Sequence, residues 1–162
     1  MTFGGGGHSK QALLLYEYLL RKGDDKESIV TIHVDHCKYK NILDVDCLVI
    51  PPFRKPAESL WLCIFRNTII PSYLFHLFKI IIFMKQQNVS TVVSFGPNIA
   101  VIIGLICKIT KVKFLFIESW SRVTTLSKAG KIILKYKLAS EFLVQWESVA
   151  KTYNLKFIGR MS

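Results

Sequence analysis

Four consecutive glycines, Gly4, Gly5, Gly6 and Gly7, are followed at once by His8 and Ser9. Without a Cβ, such a loop lets the backbone come close to a ligand. Free amides at the start of a helix then favour an anion, typically a phosphate. An imidazole at His8 suits one of two tasks there: accepting a proton from a hydroxyl, or contacting a phosphate as a cation. The dinucleotide fingerprint GxGxxG does not fit. Its third glycine would fall on Ser9 counting from Gly4, and on Lys10 counting from Gly5. The phosphate loop ending in GK[ST] is absent as well.

Two further loops carry candidate chemistry. Ser94-Phe95-Gly96-Pro97-Asn98 repeats the strand–turn–helix plan, with Asn98 as a predicted N-cap. Its helix start is expected to converge with the first on one ligand. Glu118-Ser119-Trp120-Ser121-Arg122-Val123-Thr124-Thr125 also follows a strand. There a carboxylate at Glu118 reaches the ligand crevice, Arg122 grips a phosphate, and Ser119 and its neighbours bond hydroxyls. The competing reading of this loop is a structural Glu118–Arg122 ion pair.

No metal is expected. His33, Asp35, His36 and Cys37 are close in sequence, but on a strand His33 and His36 point to opposite faces. The cysteines, Cys37, Cys47, Cys63 and Cys107, form no CxxC pair, and two lie in apolar runs. That pattern predicts reduced, buried thiols in a cytosolic chain.

The elements that must hold these loops alternate. A strand stub at Thr2-Phe3 leads to a predicted helix His8–Arg21, stopped by Gly23. Strands are expected at Ser28–Val34, Asp46–Ile50, Thr91–Phe95, Val112–Ile117, Glu141–Gln145 and Lys156–Ile158. Helices are expected from near Leu60 to Lys85 with a kink at Pro71, then at Ile99–Ile109, Leu126–Leu138 and Trp146–Tyr153. Ile99–Ile109 is apolar all round and predicts a helix buried between layers. Strands separated by helices call for right-handed crossovers and a mostly parallel sheet. The fold class is therefore α/β, one Rossmann-like domain over 1–162, with ligands at the carboxyl ends of the strands. The first strand is shorter than usual and reads as truncated.

The chain has 162 residues, 51% of them hydrophobic, which excludes disorder and allows a full core. It is too short for an enzyme that clamps substrate between two domains. The mean hydropathy of +0.33 raises the question of a membrane span. The longest apolar run, Ile99 to Cys107, is nine residues, against the roughly twenty a span needs. Twenty-two Lys and Arg against eleven Asp and Glu give a net charge of +11. No acid occurs between Glu58 and Glu118. Lys128, Lys131 and Lys135 share one face of a predicted helix. This pattern suits an anionic membrane surface held peripherally, and equally a solvated helix face. Nucleic acid is not expected, because no recognition motif and no basic–aromatic interleaving occur.

The ordered set GGGGHS, PPFRKPAES, SFGPN, FIESWSRVTTLSKAGKI, VQWE and FIGRM resembles the acceptor-side subunit of bipartite UDP-sugar glycosyltransferases. The eukaryotic version is asparagine-linked glycosylation protein fourteen, and bacterial versions serve capsule and exopolysaccharide synthesis. The resemblance implies the N-terminal, acceptor-binding half of a GT-B glycosyltransferase. A separate donor-binding subunit would carry the UDP-sugar, so no cofactor is expected on this chain. It implies a polyprenyl-diphosphate-linked sugar as acceptor, with Gly4 to His8 near its diphosphate and reacting hydroxyl and Glu118 facing the inter-subunit cleft beside Ser119 and Arg122; the loop reading adds Ser9, Gly96 and Asn98 to the acceptor site. The expected reaction is a metal-independent inverting transfer at the cytoplasmic face of a membrane, with His8 or Glu118 as base. Two other readings stay open: a non-catalytic membrane scaffold of the transferase, and an NAD-dependent oxidoreductase with Asp35 on the ribose.

Overall fold

A computed structural model describes residues 1–3, 7–23, 29–34, 46–50, 71–96 and 99–160, without the side chains of 3, 7–9, 33–34 and 71–74. Among these residues seven strands form one sheet, in the order β3-β2-β1-β4-β5-β6-β7. They are β1 (Thr2–Phe3), β2 (Thr31–Val34), β3 (Cys47–Ile50), β4 (Thr91–Ser94), β5 (Lys113–Ile117), β6 (Glu141–Val144) and β7 (Lys156–Phe157). Every neighbouring pair is parallel. The helices are α1 (Gly7–Lys22), α2 (Pro71–Gln86), α3 (Ile99–Thr110), α4 (Lys128–Lys135) and α5 (Glu147–Tyr153). The predicted α/β class and Rossmann-like, parallel sheet are what the chain forms.

The two-residue β1 sits near the middle of the sheet, between β2 and β4. Chain order reverses direction there, so β1 and β4 flank the switch point where such sheets bind ligands. The seam is tied by side chains. Thr2 Oγ1 donates to Ser94 Oγ at 2.7 Å, and Ser94 Oγ also accepts from the Gly96 N–H.

The two faces of the sheet bury different helices because strand side chains alternate. Val92, Phe114 and Phe116 face one way and pack with Ile80 and Met84 of α2, Ile103 and Cys107 of α3 and Ile133 of α4. Phe95 and Ile117 face the other way and pack with Ala12 and Tyr16 of α1. Burial pushes the Cys107 thiol up to about 12, so it packs as a neutral, apolar group.

Four helices end alike. Asn88, Lys111, Lys137 and Asn154 adopt left-handed φ values of 47°, 59°, 48° and 51°. The next residue, Val89, Val112, Leu138 or Leu155, donates its N–H to a carbonyl five residues back, at Met84, Cys107, Ile133 or Ala150. Each turn caps the last helical carbonyls and turns an apolar side chain inward, Leu138 fully and the other three partly, as the chain enters the following strand. Asparagine tolerates this conformation; lysine gains nothing from it.

Some expectations need correction. The helix expected to kink at Pro71 begins there instead. Proline suits a first turn, whose N–H groups have no intrahelical partner, and its fixed φ is already helical. The portion expected from Leu60 to Ile70 lies outside the described residues. Helix α3 is not buried between layers: Leu105 and Ile109 are more than half exposed. It covers the sheet with Ile99, Ala100, Ile103, Gly104, Ile106 and Cys107 only. A helix apolar all round hides which face is covered, since periodicity has no polar face to read. Strand β2 starts at Thr31 rather than Ser28, and α4 spans Lys128–Lys135 with Ser127 as its N-cap.

Candidate functional site

At the carboxyl ends of β4 and β5 a cavity of about 430 Å³ opens. Phe95 and Gly96 line it from the end of β4. Ser119, Ser121, Arg122 and Thr125 line it from the loop after β5, and Ser127, Lys128 and Lys131 from the start of α4. Gly96 has φ of 80°, a conformation that favours glycine and turns the chain away from the strand end. Arg122, Lys128 and Lys131 give the cavity its positive charge, and α4 presents its amino end to it. None of the three is in an ion pair among the described residues. Hydroxyls at Ser119, Ser121 and Thr125 add hydrogen-bonding groups. Together these groups can hold an anion bearing hydroxyl groups.

Glu118 is the last residue before this loop and only 2% exposed. Its Oε1 accepts from the Ser119 N–H at 3.0 Å. Its Oε2 accepts from the Ser127 N–H at 2.9 Å and from the Ser127 hydroxyl at 3.0 Å. Ser127 Oγ in turn accepts from the Gly130 N–H at 2.9 Å and caps α4. The carboxylate therefore bridges the two ends of the 119–126 segment. The alternative Glu118–Arg122 ion pair does not form.

A second set of hooks comes from the segment after β6. Gln145 donates to the Glu118 carbonyl at 2.9 Å, the Trp146 indole N–H to the Trp120 carbonyl, and the Ser148 hydroxyl to the Val123 carbonyl. The Arg160 guanidinium lies over the Trp120 ring, 5.4 Å from its centroid. The VQWE and FIGRM segments thus fasten the loop that FIESWSRVTT forms.

Of the residues singled out in the sequence, Gly96, Ser119, Arg122, Lys128 and Lys131 meet at this cavity, with Glu118 directly behind it. Lys135 is exposed on α4 beyond the cavity lining. The lysine face, expected to suit either an anionic membrane surface or solvent, therefore divides, with its first two lysines at the strand ends. Gly4, Gly5, Gly6 and Asn98 lie outside the described residues, as do Asp35, His36 and Cys37. Gly7, His8 and Ser9 form the first turn of α1, and their side chains are outside the description. The loops of His8 and Glu118, both expected to offer the base from adjacent positions, are not neighbours, because β4 stands between β1 and β5. Two strand spacings, about 10 Å, separate them. Ser127, Gln145 and Trp146 were missed as site-building residues. Ser127 had a readable signal: a serine just before a helix whose third residue, Gly130, leaves its N–H free to be capped. Among the described residues, no group of three His, Cys, Asp or Glu is placed to hold a metal.

The profile of the family described as "Oligosaccharide biosynthesis protein Alg14 like" matches residues 1–161. A UDP-N-acetylglucosamine transferase subunit ALG14 of Cryptococcus neoformans is 23% identical over 173 aligned positions, covering 94% of this chain and 75% of that protein. The alg14 subunit of Schizosaccharomyces pombe is 37% identical over 70 positions, 40% of this chain and 32% of its own. Among solved structures, MurG of Acinetobacter baumannii shares the fold with a TM-score of 0.62 and 18% identity. That match covers 89% of this chain but only 39% of MurG, as one half of a GT-B architecture would. The chain belongs to the Alg14-like family of oligosaccharide biosynthesis proteins.

Proposed function

We propose that this chain is the acceptor-binding subunit of a two-chain UDP-sugar glycosyltransferase. The observation that carries the reading is a family match along nearly the whole chain, joined to a basic, hydroxyl-lined cavity at the strand ends. A polyprenyl-diphosphate-linked sugar supplies the anion and the hydroxyls that such a cavity takes. The donor, a UDP-sugar, is held by a separate catalytic subunit whose face closes over the same strand ends. In the reaction the acceptor hydroxyl oxygen bonds to the anomeric carbon of the donor sugar. The bond from that carbon to the diphosphate breaks, UDP leaves with the electron pair, and His8 at the start of α1 takes the hydroxyl proton. Holding two substrates in one geometry across the interface supplies much of the rate.

The acceptor lipid places this reaction at a membrane surface, and the helical layer suits it. Helices α2, α3 and α4 contain no Asp or Glu. Their outer side exposes Phe75, Phe78 and Ile82 of α2, Leu105 and Ile109 of α3, and Ile132 of α4. Lys79, Lys85, Lys108, Lys128, Lys131 and Lys135 are exposed on the same three helices. Apolar side chains with lysines and no acids fit an anionic lipid surface. Among the described residues no helix is long and apolar enough to cross a membrane.

The test is reconstitution with the separately encoded donor-binding chain, UDP-N-acetylglucosamine and a polyprenyl-diphosphate-linked sugar. Transfer is expected with both chains and not with either alone. Absence of transfer with the pair, or full activity of one chain by itself, overturns the reading. Alanine at Arg122 and His8 separates it from a non-catalytic tether, for which both residues would be dispensable.

A further inference from the structure

The Glu118 carboxylate is expensive where it lies. It is 2% exposed, and no cation pairs with it among the described residues. Burying a carboxylate without a counter-charge is unfavourable unless donors replace its water. Here three donors do, two of them from Ser127 at the amino end of α4. Gly130 completes the arrangement, since a Cβ there would run into Glu118 Oε2. Ser127 fills both acceptor sites of Oε2, and Oε1 is engaged by the Ser119 N–H.

We propose that Glu118 is a positioning residue, whose carboxylate clasps Ser119 to Ser127 and so presents Arg122, Ser121 and Thr125 to a diphosphate. The inference rests on the transferase reading for the identity of that diphosphate, while the clasp itself is a property of this chain. Three facts support a positioning task over proton transfer. Both oxygens are already engaged. An acceptor-only group is what three convergent donors require, and glutamine cannot supply it. Arg122 is tied within the clasped loop by its own N–H, which donates to the Ser119 carbonyl at 3.0 Å. Ser119 is thus the residue through which the clasp reaches the cationic side chain.

Two readouts on the purified chain and one on the reconstituted pair decide it. Amide hydrogen exchange in 119–127 is expected to speed up about tenfold or more in Glu118→Gln and in Ser127→Ala, with exchange in 113–117 unchanged. Inorganic pyrophosphate, titrated calorimetrically, should bind about tenfold more weakly to both. Arg122→Ala should weaken pyrophosphate equally without changing loop exchange. In the pair, Glu118→Gln should raise KM for the lipid acceptor and leave the shape of the kcat–pH profile unchanged. The proposal is overturned if loop exchange and pyrophosphate affinity stay as in the wild type. It is also overturned if the wild-type chain fails to bind pyrophosphate, or if Glu118→Gln removes a limb of the pH profile with kcat down by 10²–10⁴, the signature of a general base. Failure of the transferase reading shows separately, as absence of transfer by the wild-type pair while the loop readouts still report the clasp.

Discussion

Gly104 lies against the ring of Phe114 so closely that a Cβ on it would fall 2.8 Å from Phe114 Cε1 and 3.2 Å from Leu138 Cβ. Helix α3 and strand β5 meet there through backbone and ring, and both partner side chains are buried. Helix propensity alone favours Gly104→Ala by about 1 kcal/mol. Overpacking a core costs typically about 1–3 kcal/mol. Crowding should win. Gly104→Ala is expected to lower the urea midpoint with an unchanged m-value, and a raised midpoint would show that Phe114 yields freely.

The left-handed turns after α3 and α4 predict the opposite sign for glycine. Lys111 and Lys137 hold positive φ at an energetic cost that glycine does not carry. Lys111→Gly and Lys137→Gly should each stabilise by about 0.5–1 kcal/mol. Lysine-to-alanine at the same positions, which retains the Cβ, should not. Thermal melts of the four variants make the comparison.

Gln11 is fully buried on α1, and among the described residues neither atom of its amide has a hydrogen-bond partner. An unsatisfied buried amide costs about 1–3 kcal/mol. Gln11→Met, close in volume and free of strong polar groups, should raise stability by about 1–2 kcal/mol. Denaturant titration checks the sign directly.

Glu141, at the start of β6, is shared by two flanking strands. Its carboxylate meets Lys113 of β5 at 2.8 Å and Lys156 of β7 at 3.9 Å. The hydrogen bond and charge of Lys113, then the charge of Lys156, hold its pKa below the usual carboxylate value. A group depressed in the folded state stabilises above its unfolded pKa, near 4.3, and loses that contribution as pH falls through the lower, folded value. Wild type should therefore lose more stability than Glu141→Gln between about pH 5 and pH 2. The effect is small, because the pair is exposed, and should shrink further in 1 M salt.

The outer side of α2 yields a prediction about membranes. The substitutions Phe75→Ser, Phe78→Ser and Ile82→Ser combined should reduce binding to vesicles containing anionic lipid at least tenfold. Lys79→Glu should reduce it and steepen its salt sensitivity. Vesicles of neutral lipid should bind little of any variant. Sedimentation with vesicles of both compositions decides, and equal binding to neutral vesicles would remove the electrostatic part of the argument.

The fold was legible because its helices and strands carry different periods. Leu13, Leu19 and Leu20 mark α1, and the β-branched run Thr91-Val92-Val93 marks β4. What could not be read was depth. Leu105 and Cys107 look alike in an apolar run, yet one is exposed and the other sits in the core. Sheet order was equally hidden, because parallel pairing joins residues far apart in sequence, such as Thr2 and Ser94. The residue types at the cavity were readable from loops that follow strands. The partner of Glu118 was not, since Ser127 lies nine residues away and meets it only when α4 folds back over the strand end.

Residues 59–140 carry eleven basic residues and one acid, Glu118, which is buried; the remaining eighty carry eleven basic residues and ten acids. Nearly all of the excess charge therefore belongs to one stretch of the chain, and the described lysines of that stretch lie largely on the layer built by α2, α3 and α4. Among the described residues that layer carries six lysines and no acid. A negatively charged plane attracts such a layer at distances of about a Debye length, before any side chain touches. On the proposed membrane reading the chain would approach with this layer first, and its search for a lipid-borne acceptor would be confined to two dimensions.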